Sequence, residues 1–324
     1  MRGLKAQLPG WLTPELQPPR SFTYNDTGID TDEALDDSET GIDCDADATT
    51  AIPVGSIIKI DTEFMFVTAT GTTLTVVRPN PVAHDTNADI YKKVNNCVLW
   101  LPGQDGPQSA TIRDRSGYNN HGTITGAVWA RLPSGLWYLD FDGINDGVTC
   151  GDSDSLTLAS GFTFRIWARI DDDGTASEYM FCRYDHESTE YEWAFDMHIL
   201  TAGAGLDFFV RDDTGGGSRG RSDADGVTTF KDKWTHFVGV YNGGTTPAAL
   251  KLYANGVQVD DTDYTGGTFT AIRNTTAQTR LGGRDHATSQ RFDGGLVLPM
   301  QTSAQWTQAE ALADYQQTRH LFGV

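Results

Sequence analysis

Side chains able to do chemistry gather in the middle of the chain. Glu190, Glu192 and Asp196 stand in the order E-x-E-x-x-x-D, so on a regular strand they would share one face. Retaining cleavage of a glycosidic bond needs two carboxyl groups about 5–5.5 Å apart, one as nucleophile and one as acid/base. Just upstream, Arg183-Tyr184-Asp185-His186 supplies the residue types of a polysaccharide lyase, although neighbours on a strand point to opposite sides. A third set is aromatic: Trp129, Trp137, Tyr184, Tyr191 and Trp193 could each offer a ring face to a sugar, or fill a core. Asp142, Asn145 and Asp146 could supply hard oxygen ligands to calcium from one loop, and Asp and Asn are equally the usual turn formers. No Ser-His-Asp elbow, H-E-x-x-H or phosphate-cradling glycine loop is present. Gly215-Gly216-Gly217-Ser218-Arg219-Gly220-Arg221 lacks the Lys-Ser/Thr that would follow such a loop and reads as a mobile connection. Catalysis is therefore not expected.

The elements that must carry these residues are β-strands. From Cys97 onward, strand-sized runs such as Trp137–Phe141, Phe162–Trp167, Leu206–Val210, His236–Tyr241 and Leu250–Tyr253 alternate with Gly, Asp, Asn, Ser and Thr clusters, the texture of an all-β sandwich. One helix is expected near the end, where Thr307 and Glu310 form a T-x-x-E capping box ahead of Ala309, Leu312, Ala313 and Tyr315. Upstream, Ile57–Ile60, Phe64–Val67 and Leu74–Val77 read as three strands of a smaller module, with Thr70-Gly71-Thr72 as a hairpin turn and Lys92–Asn96 as its boundary. Ahead of it runs a leader punctuated by Pro9, Pro14, Pro18 and Pro19, which cannot form a long helix.

Composition narrows the function classes. Lys and Arg total 24 against 44 Asp and Glu, a net charge of −20, which repels nucleic acid phosphates. Ten acids and no Lys or Arg lie between Arg20 and Lys59, a solvated acidic face on this reading. No apolar run approaches the roughly 20 residues of a membrane-spanning helix. The first residues show no secretory signal, and Cys44, Cys97, Cys150 and Cys182 have no metal-site or disulfide spacing, so free thiols made in a reducing cytoplasm are expected.

Several motifs then become specific. Asp114-Arg115-Ser116-Gly117-Tyr118-Asn119-Asn120-His121-Gly122, Phe141-Asp142-Gly143-Ile144-Asn145-Asp146-Gly147-Val148, Phe162–Trp167, Trp234-Thr235-His236-Phe237-Val238, Leu252-Tyr253-Ala254-Asn255-Gly256 and Leu281-Gly282-Gly283 with Phe292-Asp293-Gly294 follow one another in order. This series resembles the laminin-G-like, concanavalin-A-like jelly-roll family. The resemblance implies a sandwich with Trp167 and Trp234 as core anchors. It also puts Val297 where some members carry a calcium-holding acid, and the E-x-D-x-(x)-E signature of the superfamily's laminarinase-type enzymes is absent. The smaller module, Ile52–Val67 followed by Gly71–Arg78 and Ala83-His84, is similar to one recurring in tailed-bacteriophage structural proteins, within which Glu63 and Arg78 read as a cross-strand pair.

The expected architecture is all-β: an extended arm over residues 1–21, a small β module over 22–94 for attachment or oligomerisation, and a jelly-roll sandwich over 97–324 with a short C-terminal helix. The two resemblances together imply a virion structural protein, a capsid decoration or head-fibre protein that assembles as a homotrimer, contacts the major capsid protein through residues 1–94 and is exposed on the particle surface. A glycan-binding adhesin is the alternative, and a polysaccharide hydrolase or lyase the lesser one.

Overall fold

The computed structural model describes residues 22–171, 177–200, 203–212, 216–284 and 290–324; the arm over residues 1–21 lies outside them. The chain divides at Asn96/Cys97 into two compact units.

The smaller unit is one antiparallel sheet of β1 (Phe22–Asp30), β2 (Gly41–Asp43), β3 (Ile57–Ile60), β4 (Glu63–Ala69), β5 (Thr73–Val77) and β6 (Asp89–Asn95), in the order β1-β6-β3-β4-β5-β2. Period-two alternation buries Ile58, Ile60, Met65, Val67, Leu74 and Val76 on one face. The acidic stretch belongs to this unit rather than lying apart from it. Leu35, Ile42, Cys44 and Ala48 enter the core between the acids, which stay at the surface. Lys92–Asn95 is the end of strand β6, its backbone paired with β1 and β3, and the unit ends just after it at Asn96. Glu63 and Arg78 meet as a fork, Nε donating to Oε1 at 3.0 Å and Nη2 to Oε2 at 2.8 Å, with each side chain 2% exposed.

The larger unit contains β7 (Cys97–Trp100), β8 (Thr111–Ile112), β9 (Gly122–Thr125), β10 (Val128–Arg131), β11 (Trp137–Asp142), β12 (Gly147–Thr149), β13 (Phe162–Ile170), β14 (Glu178–Asp185) and β15 (Glu190–Leu200). It continues with β16 (Gly203–Asp212), β17 (Gly217–Asp223), a short α1 (Gly226–Phe230), β18 (Trp234–Tyr241), β19 (Leu250–Ala254), β20 (Val257–Gln258), β21 (Thr262–Gly266), β22 (Thr279–Leu281), β23 (Asp293–Thr302) and α2 (Gln308–Thr318). An eight-stranded sheet runs β10-β11-β23-β13-β18-β19-β20, with β7 on β23, and a nine-stranded sheet runs β21-β17-β16-β15-β14-β22-β12-β9-β8. The sandwich core between them is aromatic, with Phe164 stacked on Trp193 at 5.7 Å and surrounded by Phe162, Phe181, Phe195 and Phe208.

Helix α2 covers the opposite face of the eight-stranded sheet. Its capping box is formed as expected, Thr307 accepting from the Glu310 amide while the Glu310 side chain takes the Thr307 amide. This packing explains why β13 is buried on both faces: Trp167 stacks on Phe322 at 3.8 Å and donates to Thr318 at 3.0 Å, and Arg165 pairs with Asp314 at 2.9 Å. Asp314 also meets His236 at 2.7 Å. The glycine-rich run expected as a loop is instead strand β17 from Gly217 on, with Gly215 outside the described residues. The glycines there admit close backbone approach, since a Cβ on Gly217 would lie 2.2 Å from the Thr268 carbonyl oxygen and one on Gly220 would lie 2.9 Å from the Phe209 Cβ.

Candidate functional site

Alternation on the nine-stranded sheet turns Phe195, Met197, Leu206, Phe208 and Val210 into the core and the residues between them outward. Cross-strand register then arranges the outer face in rows. Tyr179, Asp196, Asp207 and Ser222 stand opposite one another across β14, β15, β16 and β17. The next row is Arg280, Cys182, Ala194, Phe209 and Gly220. Beyond it Tyr184 pairs with Tyr191, and Arg211 with Ser218.

The third row is held by stacking and charge. The Tyr184 and Tyr191 rings lie 4.5 Å apart, Arg211 sits 4.5 Å over Tyr191, and its Nη1 donates to the Tyr184 hydroxyl at 2.9 Å. Tyr184 also meets Tyr179 at 5.4 Å and Phe209 edge-on at 5.8 Å. Burial pushes the Tyr184 hydroxyl above its ordinary pKa despite Arg211, so it stays protonated as a donor. Arg284 lies 5.6 Å over the Tyr179 ring at the other edge of the face. Tyr179, Cys182, Tyr184 and Ala194 are buried together here, and Tyr191, Asp207, Phe209 and Arg211 are the half-buried residues at the edge of this cluster.

Of the five aromatic candidates, the structure brings Tyr184 and Tyr191 together here. Trp193, on the same strand as Tyr191, points inward, 2% exposed within the core. Trp129 and Trp137 belong to the other sheet. Trp129 packs on the core and donates from Nε1 to the Ser109 carbonyl at 2.9 Å, and the Trp137 ring lies 5.3 Å from Arg131.

The carboxylate series does not share one face. A bulge between Arg183 and Tyr184 lets Arg183 oppose Trp193 while Tyr184 opposes Tyr191, so Glu192 is skipped and turns aside. It pairs with buried Arg183 at 2.9 Å and accepts from the Thr275 amide at 2.8 Å, while Glu190 accepts from the Thr276 amide at 3.1 Å. Only Asp196 of the three faces outward beside Asp207. Ordinary alternation along β14 turns Arg183 inward, where it is buried, and Tyr184 to the outer face, and His186 lies in the following turn. Asp207, Arg211, Phe209, Tyr179 and Arg284 were not singled out from sequence. The one signal for Asp207 is its place as an acid between the inward Leu206 and Phe208.

Asp142, Asn145 and Asp146 do share a loop after β11. Asp142 Oδ1 accepts the Ile144 amide at 2.9 Å and the Asn145 amide at 3.4 Å, and Asp146 Oδ2 accepts the Asp142 amide at 3.0 Å. These oxygens brace the loop's own backbone, and Val297 at the position of the family's acid is buried and apolar, so the donor set fits a turn better than calcium.

Residues 142–297 match the Laminin_G_3 family model, described as the concanavalin A-like lectin/glucanases superfamily. The larger unit is thus a jelly roll of the concanavalin-A-like class. Solved structures share this fold. The binding domain of Paraclostridial mosquitocidal protein 1 aligns with a TM-score of 0.51 and 14% identity, over 68% of this chain and 52% of that one. The receptor-binding domain of botulinum neurotoxin C/D mosaic serotype aligns with a TM-score of 0.51 and 12% identity, over 68% and 51%. The botulinum neurotoxin serotype D ligand-binding domain, in complex with N-acetylneuraminic acid, aligns with a TM-score of 0.50 and 12% identity, over 68% and 50%. The chain thus spans about half the length of these structures. No curated protein matches the sequence.

Proposed function

We propose that the protein is a lectin-like glycan-binding protein, and that its binding surface is the outer face of the nine-stranded sheet. The observation that carries this reading is the Tyr184, Tyr191 and Arg211 stack two rows from Asp196 and Asp207. Sugars present apolar C–H faces that pack on rings and hydroxyl groups that need close donors and acceptors, and this face supplies both. The binding role of the toxin domains that share the fold is consistent with it. Occupation of Glu190 and Glu192 in structural contacts favours binding over cleavage. A glycan array probed with the full chain is expected to show bound species, and Tyr191→Ala and Arg211→Ala are each expected to weaken binding about tenfold or more. An array blank for the folded protein would overturn the reading.

A second reading concerns where the jelly roll is displayed. Residues 20–96 form a compact unit with its own core, which suits an attachment module. Together with its similarity to a module of tailed-bacteriophage structural proteins, this supports a capsid decoration or head-fibre protein, homotrimeric and exposed on the virion, that binds the major capsid protein through residues 1–94. Deleting residues 1–94 is expected to abolish association with particles. Retained association of residues 97–324 alone would remove that division of labour.

A further inference from the structure

The sandwich is open along one edge. Strands β9 and β8 end the nine-stranded sheet, whereas β10, which follows β9 directly in the chain, is the end strand of the eight-stranded sheet. The chain crosses from one sheet to the other at Gly126, with φ 77°, and Ala127, and strands of different sheets share no ladder to close this side. A cleft of about 490 Å³ lies there, between Gln108, Ser109 and Ala110 ahead of β8 and Ile124, Val128 and Trp129 on the crossing segment. Small-molecule sites run from about 300 to 1,000 Å³, so the cleft has the size of one.

The Trp129 ring is fixed from two sides. Its Nε1 donates to the Ser109 carbonyl at 2.9 Å, and a Cβ on Gly103 would lie 3.7 Å from the ring, so the indole packs against bare backbone. With its one N–H spent, the half-buried ring offers the cleft carbon surface alone. Val128, 64% exposed, extends that apolar wall to where a ligand can reach it. Gln108 is exposed at the rim, and its amide, both a donor and an acceptor, bonds to no other described residue. No charged side chain is among the described residues that line the cleft, although the chain carries a net charge of −20. An ionised ligand would give up water there and gain no counter-charge. A hydrocarbon would leave the amide unused and stay wet on its open side, whereas a sugar ring brings an apolar C–H face for the indole and hydroxyl groups for the amide.

We propose that this cleft is a second binding site, for an uncharged sugar residue, with the Trp129 ring as its platform and Gln108 as its hydrogen-bonding group. The site shares no residue with the Tyr184, Tyr191 and Arg211 stack and stands or falls independently of it.

The test is a titration of the nitrogen-15-labelled full chain with glucose, galactose and N-acetylglucosamine, and with N-acetylneuraminic acid and glucosamine as charged comparators. The indole signal of Trp129 is identified by its loss in Trp129→Phe. At least one uncharged sugar is expected to move that signal saturably, and neither charged sugar is. Ala110→Trp, at an exposed position on the facing wall, fills the cleft and is expected to weaken binding about tenfold or more, and Gln108→Ala to weaken it severalfold. Isothermal titration of the parent and Ala110→Trp reads the same loss without relying on the Trp129 variant, and near-ultraviolet circular dichroism checks each fold. Arg211→Ala is expected to keep the Trp129 response, and its loss there would assign the response to the outer face and overturn the cleft. A Trp129 signal that no uncharged sugar moves, an equal response to the charged sugars, or unchanged binding by folded Ala110→Trp each overturns the cleft as well. A blank cleft beside array binding that Arg211→Ala removes overturns this site alone and leaves the outer-face reading in place.

Discussion

Asp314 shows how one buried charge ties distant parts of the chain. Burial alone would raise its pKa, but Arg165 and His236, both against its carboxyl, outweigh this and hold it below the usual range. His236 is pushed the other way, chiefly by burial, so its imidazolium is disfavoured in the folded state. Both shifts have the same sign in linkage, because the unfolded chain binds more protons than the folded one at low pH. Stability is therefore expected to decline as pH falls below about 6.5, where unfolded histidine protonates, and to fall further below about 4, where unfolded aspartate does. Denaturant unfolding across pH measures this, and Asp314→Asn should flatten the lower part of the profile. Asp314→Ala, which leaves Arg165 buried without its carboxylate, is expected to cost about 3–5 kcal/mol at neutral pH. A cost below about 1 kcal/mol would show that the cluster is already well solvated.

At the level of elements, strand β17 and helix α2 support opposite faces of the sandwich. Gly220 lies across from Phe209 in the row beside the two acids, and a side chain there would meet the Phe209 Cβ and the Phe208 carbonyl. Gly220→Val is expected to force β16 and β17 apart and so to weaken glycan binding more than it lowers the melting temperature. Unchanged binding would place the recognition surface elsewhere. Thr307→Ala removes the side-chain acceptor of the helix cap and is expected to cost about 1 kcal/mol. Because α2 leads into the segment whose Phe322 stacks on Trp167, tryptophan fluorescence should report that loosening before the rest of the fold melts.

On the scale of the whole molecule, each unit carries its own hydrophobic core, so residues 97–324 are expected to fold without the remainder. Light scattering on that fragment and on the full chain tests the assembly proposed for the N-terminal part. A trimer for the full chain with a monomeric fragment supports assembly through residues 1–94. A trimeric fragment would move the assembly surface to the jelly roll. The full chain's charge of −20 offers little to a polyanion.

Local pattern determined much of this molecule. The two-residue alternation of Ile57–Val77 marked the strands of the small sheet, the Thr307 and Glu310 spacing marked the helix start, and the ordered turn motifs from Asp114 to Gly294 marked a jelly roll, because each depends on neighbours within a few residues. The Glu63 and Arg78 pairing was legible for the same reason, both residues lying on or beside adjacent strands joined by one hairpin. Only the tertiary structure decided the candidate site. Asp196 and Asp207 face each other because two strands pair in one register, and Glu192 is removed from their face by a single bulge on a neighbouring pair. A one-residue shift exchanges the two sides of a strand, so which acids share a surface depends on the pairing of whole strands and not on spacing along one of them.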